Sequence, residues 1–296
     1  MTNINASSVK DLREKTGAGM MDCKKALTEC NGDFEAAIDW LRKKGLSAAG
    51  KKADRIAAEG LIAIYTENTR GTVLELNSET DFVARNEKFQ SLAKSLVHNA
   101  LNFKGSVEEL KSSKLEGGKT VNEEVIEHVA VIGENLSLRR FETLSVNSGA
   151  VVSYIHNAVA EGLGKIGVLV ALESEAKYED LLPVGKQIAM HIAAAKPEAL
   201  NVEQLDPAKV EKEKSILSEQ ALASGKPKEV VEKMLEGRIR KYYEEVVLLE
   251  QVFIMDNKMK ISQVIENAGR QIGKPIKLTA FVRYALGEGI EKTAEN

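Results

Sequence analysis

At 296 residues the chain is long enough for roughly two domains of ordinary size. Hydrophobic residues at 43% and charged residues at 29% are the balance of a globular chain with a packed core, and no apolar run approaches the roughly 20 residues of a membrane span. A net charge of −3 removes any global pull toward nucleic acid or anionic lipid.

Cys23 and Cys30 are too few for a disulfide framework and lack metal-ligand spacing, so buried free thiols are expected. The opening stretch, MTNINASSVKDLREKTG, has no basic-then-apolar leader pattern, and a cytoplasmic protein is the expectation.

Three short helices are predicted up to about residue 45. Ser8 can cap the first, which carries Val9 and Leu12 and stops at Gly17. The second, MMDCKKALTEC, sets Met20, Cys23, Leu27 and Cys30 on one face. Met20 and Met21 are consecutive, so both cannot face that core, and one is expected to point outward as a flexible thioether contact. Asp33 caps the third helix, which turns Phe34, Ala37, Ile38 and Leu41 inward. So small a unit buries little and should lean on a partner. GLSAAGKKADRIAAEG then reads as a linker.

LIAIY (61–65) and TVLELN (72–77) flank a hairpin turn, and NEKFQSLAKSLVHNAL is a helix capped by Asn86 with Phe89, Leu92, Leu96 and Ala100 on one stripe. Residues 102–122 are polar and read as an insertion or mobile loop. A helix near EEVIEHVAVIG and strands near LSLRRFETL and AVVSYIH follow. Then the pattern returns: GTVLELNSE at Gly71 aligns with GVLVALESE at Gly167, each ahead of an apolar helix, which implies two similar α+β halves. Between residues 196 and 243, Asp206-Pro207 opens a charged helix striped by Val210, Leu217 and Ala221. Ser224-Gly225 closes it, and Pro227 opens another striped by Val231, Met234, Leu235 and Ile239. An antiparallel helical hairpin with a coiled-coil-like seam is expected. KISQVIENAG is one more helix, and IKLTAFVRY a strand returning to the second sheet.

Chemistry is sparse. GLGKIG (162–167) matches a dinucleotide fingerprint, but a strand follows it where the motif needs a helix N-terminus, so a hairpin loop is expected. The histidines are scattered. His98 and His191 lie on apolar helices as core or edge residues, while His156 ends a strand, where a contact role and a plain turn residue both stay open. No serine elbow, Cys/His pair or acid/base carboxylate pair stands out, so an enzyme of covalent chemistry is not expected, nor a cofactor or resident metal.

Phe82, in SETDFVARNEKF, lies in a strand-to-helix connection of the kind that runs over the surface. Its ring either tucks under the following helix or points at something outside. The outward reading is favoured, because that helix's own stripe begins at Phe89 and the second half repeats strand and helix without any Thr-Asp-Phe-Val. Asp81 can hold the turn through its carboxylate.

LREKTGAGMMDCKKAL, NSETDFVARNEKF, VIGENLSLRR, MHIAAAKPEAL, SGKPKEVVEKMLEGR and FVRYALGEGIEK together resemble the bacterial elongation factor Ts family, in the family's order and over nearly the whole chain. The resemblance implies an α+β fold: a ubiquitin-associated-like three-helix domain (1–55), a core of two related subdomains with antiparallel sheets (56–144, then 145–195 with 244–289), an inserted helical hairpin (196–243) and a short tail (290–296). It implies a guanine-nucleotide exchange factor of elongation factor Tu, bound in its GDP and nucleotide-free states. Thr80, Asp81, Phe82 and Val83 match the segment held to dislodge the partner's Mg²⁺. Arg13, Met20 and Met21 match the docking module, Ile132 a position near the phosphate-binding loop, and His156 a contact to the partner's third domain. Residues 290–296 are too few for the C-terminal helical extension of some members. No direct nucleic-acid or membrane binding is implied, and a homodimer through the hairpin is left open. The competing reading is an interaction scaffold without exchange activity.

Overall fold

The computed structural model describes residues 4–222 and 228–291. The N-terminal module is α1 (Ala6–Thr16), α2 (Met20–Glu29) and α3 (Phe34–Gly50). Asn5, not Ser8, caps α1: the chain turns helical at Ala6, and the Asn5 carboxamide accepts from the Ser8 N–H at 2.7 Å. Gly17 (φ 67°) ends the helix and Asp33 caps α3 as expected. Leu12, Cys23, Leu27 and Ala37 form the small core, with Phe34, Ile38 and Leu41 packed around it. Cys30, just past the end of α2, is half-buried and packs against the edge of that core.

Of the linker expected from residue 45, residues 45–50 instead finish α3, because Gly45 is a contact surface and not a stop, while residues 51–58 are turn and irregular chain. Gly45 is buried on a later helix, Val121–Ile132, and a β-carbon there would stand 3.1 Å from the Ala130 methyl. Only a bare backbone lets the two helices approach so closely.

The strands are β1 (Glu59–Glu67), β2 (Arg70–Ser78), β3 (Leu136–Ser145), β4 (Gly149–His156), the two-residue β5 (Leu163–Gly164), β6 (Ile166–Glu173) and β7 (Lys277–Ala285). They form two antiparallel sheets, ordered β3-β2-β1-β5 and β4-β6-β7. The helices α4 (Glu87–Ala100), α5 (Val107–Ser112) and α6 (Val121–Ile132) cover the first sheet, while α7 (Tyr178–Ala195) and α10 (Ile261–Ile272) cover the second. The sheets' other faces meet each other through Ile62, Ile64, Val73, Val151, Leu169 and Ala171. The result is four layers, helix, sheet, sheet, helix, with strands buried on both faces. That is why LIAIY and VLVAL are continuous apolar runs rather than alternating ones.

The repeat read from the sequence has a geometric counterpart. Each sheet carries one register shift, between Glu75 and Leu76 and between Ala171 and Leu172, which is the same place in the aligned strands. Across the other side of the same strands, Gly60 (φ 120°) near the start of β1 and Gly149 (φ 124°) at the start of β4 pair with Asn77 and Glu173, and a β-carbon there would fall 2.2 Å and 2.0 Å from the carbonyls of Leu76 and Leu172. Both halves thus combine a register shift on one side of the strand with a glycine on the other.

One expectation is corrected and one is met. Residues 102–122 contain the ordered helix α5, started by a capping box between Ser106 and Glu109 and pinned by fully buried Leu110. GLGKIG forms β5 and the start of β6 with no helix after it, which removes the geometry of a dinucleotide site. The hairpin helices α8 (Pro207–Leu222) and α9 (Lys228–Val246) pack against each other and root in a cluster of Ala199, Leu205, Val247, Val210 and Tyr243. The expected stop at Ser224-Gly225 and restart at Pro227 lie outside the described residues.

His191 is fully buried, as a core reading requires. Its Nε2–H donates to Gln251 Oε1 (2.9 Å) and its Nδ1 accepts from the Ile254 N–H (3.3 Å), so the neutral ring uses both nitrogens. Gln251 in turn donates to the Glu245 carbonyl at the foot of α9 (2.7 Å). Burial pushes the His191 pKa below its usual 6.5, partly offset by the bond to Gln251. The unfolded chain then binds the extra proton first, so stability should fall as pH drops below about 6.5 and level off once the folded-state pKa is passed. Thermal melts over a pH series should show this slope, and His191→Gln, which takes up no proton, should flatten it.

Candidate functional site

β2 ends at Ser78, and the chain leaves the sheet through Glu79, Thr80, Asp81 and Phe82 into a short 3-10 turn, Val83–Arg85, and then α4. Every step of this connection is tied down. The Thr80 N–H and hydroxyl both donate to the carboxylate of Glu134, at 2.9 and 2.6 Å. Ser78 Oγ–H donates to the Thr80 carbonyl at 2.9 Å. The carbonyls of Asp81, Phe82 and Val83 accept from the N–H groups of Ala84, Arg85 and Asn86, at 3.2, 3.2 and 2.9 Å. Asn86 caps α4, and Gln90 donates to the Ala84 carbonyl.

With about three residues per turn, such a segment cannot bury all its side chains. Val83 and Ala84 go into the core beside Phe89, and Phe82 is left 81% exposed. A ring in water contributes little to folding, and a large exposed apolar side chain on a fixed turn is the informative kind of exception. The Asp81 carbonyl, not its carboxylate, closes the turn. The carboxylate is exposed and accepts no hydrogen bond among the described residues, so Glu134 does the holding that the sequence assigned to Asp81.

Glu134 lies just past the end of α6, after half-buried Ile132 and the left-handed Gly133 (φ 89°). The neighbouring Asn135 N–H donates to Glu79 Oε1 at 2.6 Å, and its side chain donates to the Arg55 carbonyl at 2.7 Å. Lys52 Nζ reaches the Gly133 carbonyl. Residues 52–55, the Phe82 turn and the Ile132 end of α6 are therefore fastened to one another.

The N-terminal module joins the same edge. Lys88, in the first turn of α4, donates to the Gly17 carbonyl at 3.4 Å, and Gly17 also lies against Val131. Arg42 of α3 pairs with Glu123 of α6. Met20 and Met21 open α2 three and four residues beyond Gly17, and both are exposed, at 59% and 74%, where only one was expected outward. The inner face of α2 is carried by Cys23, Ala26 and Leu27, and Met20 falls one turn short of it. Arg13 is exposed on α1. His156 stands apart, exposed at the end of β4 with its Nδ1 3.1 Å from the Tyr154 hydroxyl.

The Phe82 turn and the Ile132 end of α6 are thus fastened together, and the Gly17 turn that precedes Met20 and Met21 is tied to α4 and lies against α6, while His156 belongs to the second sheet. Glu79 and Glu134 were not singled out by the sequence, although both lie in stretches, SETDF and VIGEN, that were. Among the described residues no group of three or more His, Cys, Asp or Glu is placed to hold a metal, and no helix is long and apolar enough to cross a membrane.

Comparison with known proteins gives the same segments a context. The family model described as Elongation factor TS matches residues 79–288, beginning at the clasped turn itself. A protein named elongation factor Ts from Rhodospirillum centenum is 58% identical over 297 residues, covering 100% of this chain and 97% of the relative. The namesakes from Rickettsia bellii and Maricaulis maris are 54% and 52% identical, covering 99% and 100% of this chain and 95% and 96% of their own lengths. With a match of that extent, running through both sheets and the hairpin, the chain belongs to the elongation factor Ts family, proteins of the elongation stage of translation.

Proposed function

We propose that this protein binds elongation factor Tu in the cytoplasm and speeds the release of GDP from it, opening the nucleotide site by displacing Mg²⁺. The observation that carries the reading is Phe82, 81% exposed on a turn whose backbone is hydrogen-bonded at every step. An exchange factor needs no acid or base of its own. It must bind the nucleotide-free GTPase better than the loaded one, and by linkage GDP weakens the factor as much as the factor weakens GDP. Mg²⁺ tolerates little departure from octahedral geometry, so spreading the elements that carry its ligands is an efficient lever. A ring buried only in the open complex supplies about 1.5–3 kcal/mol to that state alone.

In this reading Thr80 and Asp81 present the ring, and buried Val83 anchors it from within. Arg13, Met20 and Met21 dock the N-terminal module on the GTPase domain, with Ile132 beside them near the phosphate loop. His156, on the other sheet, engages the partner's third domain. Two separated contacts on one rigid body are what a lever requires.

The test uses labelled GDP. The protein alone should not bind GDP, and it should accelerate GDP release from its cognate elongation factor Tu. Saturable GDP binding by the isolated protein would overturn the proposal. A complex that forms without faster release would leave only the scaffold reading.

A further inference from the structure

We infer that Glu134 is a positioning residue for nucleotide release, holding the 80–82 turn so that the Phe82 ring projects at a fixed place relative to Ile132. The inference rests on Phe82 being the lever.

Three observations carry it. First, both carboxylate oxygens of Glu134 are given to one residue, Thr80, through its N–H (2.9 Å) and its hydroxyl (2.6 Å), across 54 positions of sequence. Hydrogen bonds to an ionised acceptor are the strong, short kind. No cation competes for this carboxylate, since Glu134 takes part in no salt bridge among the described residues.

Second, the arrangement is reciprocal. Glu79, the residue before Thr80, accepts from the backbone N–H of Asn135, the residue after Glu134 (2.6 Å). Each segment thus lends the other a carboxylate for a backbone donor, and the pair cannot slide in register without losing both.

Third, the ring has no packing of its own to hold it. At 81% exposure its position is set by the backbone beneath it. Val83 and Ala84 anchor the far side of the turn in the core, and Glu134 anchors the near side. Without Glu134, Thr80 would be tied only through its carbonyl, by the Ser78 hydroxyl, and Asp81 only through its carbonyl, by the Ala84 N–H. A displacement of about 1 Å in a group that must meet a partner at a set place can cost up to 100-fold in rate.

A purely structural clasp would affect folding and leave catalysed release alone, so the test separates maximal rate from affinity. GDP release from elongation factor Tu is measured against concentration of each variant, with urea unfolding alongside. Glu134→Ala is expected to lower the maximal release rate about five- to tenfold, while the half-saturating concentration stays within about twofold. Glu134→Gln should keep most of the rate, because its amide can accept from the Thr80 N–H and donate to the Thr80 oxygen. Thr80→Val, which removes one of the two bonds, should fall between them. The double variant Phe82→Ala/Glu134→Ala should be no slower than Phe82→Ala alone, since one residue acts through the other.

A wild-type maximal rate in Glu134→Ala beside a slow Phe82→Ala overturns this inference and leaves the lever standing. A wild-type rate in Phe82→Ala overturns both. Multiplicative losses in the double variant overturn it as well, by giving Glu134 a role of its own. If Glu134→Ala does not fold, Thr80→Val and Glu134→Gln carry the same comparison, and equal wild-type rates in the two overturn it.

Discussion

Phe82→Ala is expected to slow catalysed GDP release by about tenfold or more, a barrier increase of about 1.4 kcal/mol, while the melting temperature hardly moves. The two halves of this expectation have separate physical sources. A buried phenylalanine cut to alanine costs about 3–5 kcal/mol of stability through lost transfer energy and the cavity left behind. Phe82 has almost none of that to lose, being 81% exposed, with the turn's hydrogen bonds made by backbone atoms that alanine also carries. The loss falls instead on the complex, where the ring would be buried. Stopped-flow release of labelled GDP, paired with thermal melts of the same preparations, reads both. A variant that melts far earlier would place the ring in the core, and one that exchanges at the wild-type rate would show that the lever is elsewhere.

The opposite profile is expected for Glu75→Ala: a large loss of stability, with exchange by the folded fraction little changed. Glu75 sits on β2 with no exposure at all. Its carboxylate accepts from Arg139 Nη1 at 3.1 and 3.2 Å, from Arg140 Nε at 2.6 Å, from Asn77 Nδ2 at 3.1 Å and from the Gly287 N–H at 2.8 Å. Arg139 goes on to the Glu288 carbonyl, and Arg140 to the Ala285 carbonyl while stacking 4.1 Å over the Tyr284 ring. The cluster joins the first sheet to the segment after β7.

Removing one partner of a buried pair costs about 3–5 kcal/mol, because the other charges and donors stay behind without it. The lower end applies here, since Arg139 and Arg140 are 27% and 30% exposed and recover some hydration. Asn77 makes matters worse, for its Oδ1 already lacks a partner and the substitution takes one of its two acceptors. Glu75→Gln, which keeps one acceptor, should cost less. Urea unfolding midpoints test the pair, and a Glu75→Ala midpoint close to wild type would mean the cluster is dispensable.

Much of the architecture was legible because local pattern and final packing agree. The helix of Phe89, Leu92, Leu96 and Ala100 has one apolar stripe and one surface to cover, and it forms where its cap places it. The exposure of Phe82 was legible for the converse reason: the position is a connection and the next stripe is already complete. Failures came where a residue's role is decided by something distant. Gly45 looks like a helix stop until α6 is beside it. Helix α5 is six residues long, too short for periodicity, although its Ser106 and Glu109 capping box was in plain view. Met20 has core spacing from Cys23 and no core to reach. The Glu134 clasp joins residues 54 apart, and nothing in either segment alone announces the other.

The bond from Glu75 to Gly287 spans 212 residues, and synthesis from the N-terminus gives that span a meaning in time. β1, β2 and β3 can emerge and pair while the strand that closes the second sheet has yet to be made. Until then the buried carboxylate has its two arginines but not the backbone donor from the far half. Contacts of such long sequence separation form late and slowly. The first half can therefore collapse early around Phe89, whereas the bond that ties Glu75 to the far half must wait for the segment after β7 to be translated.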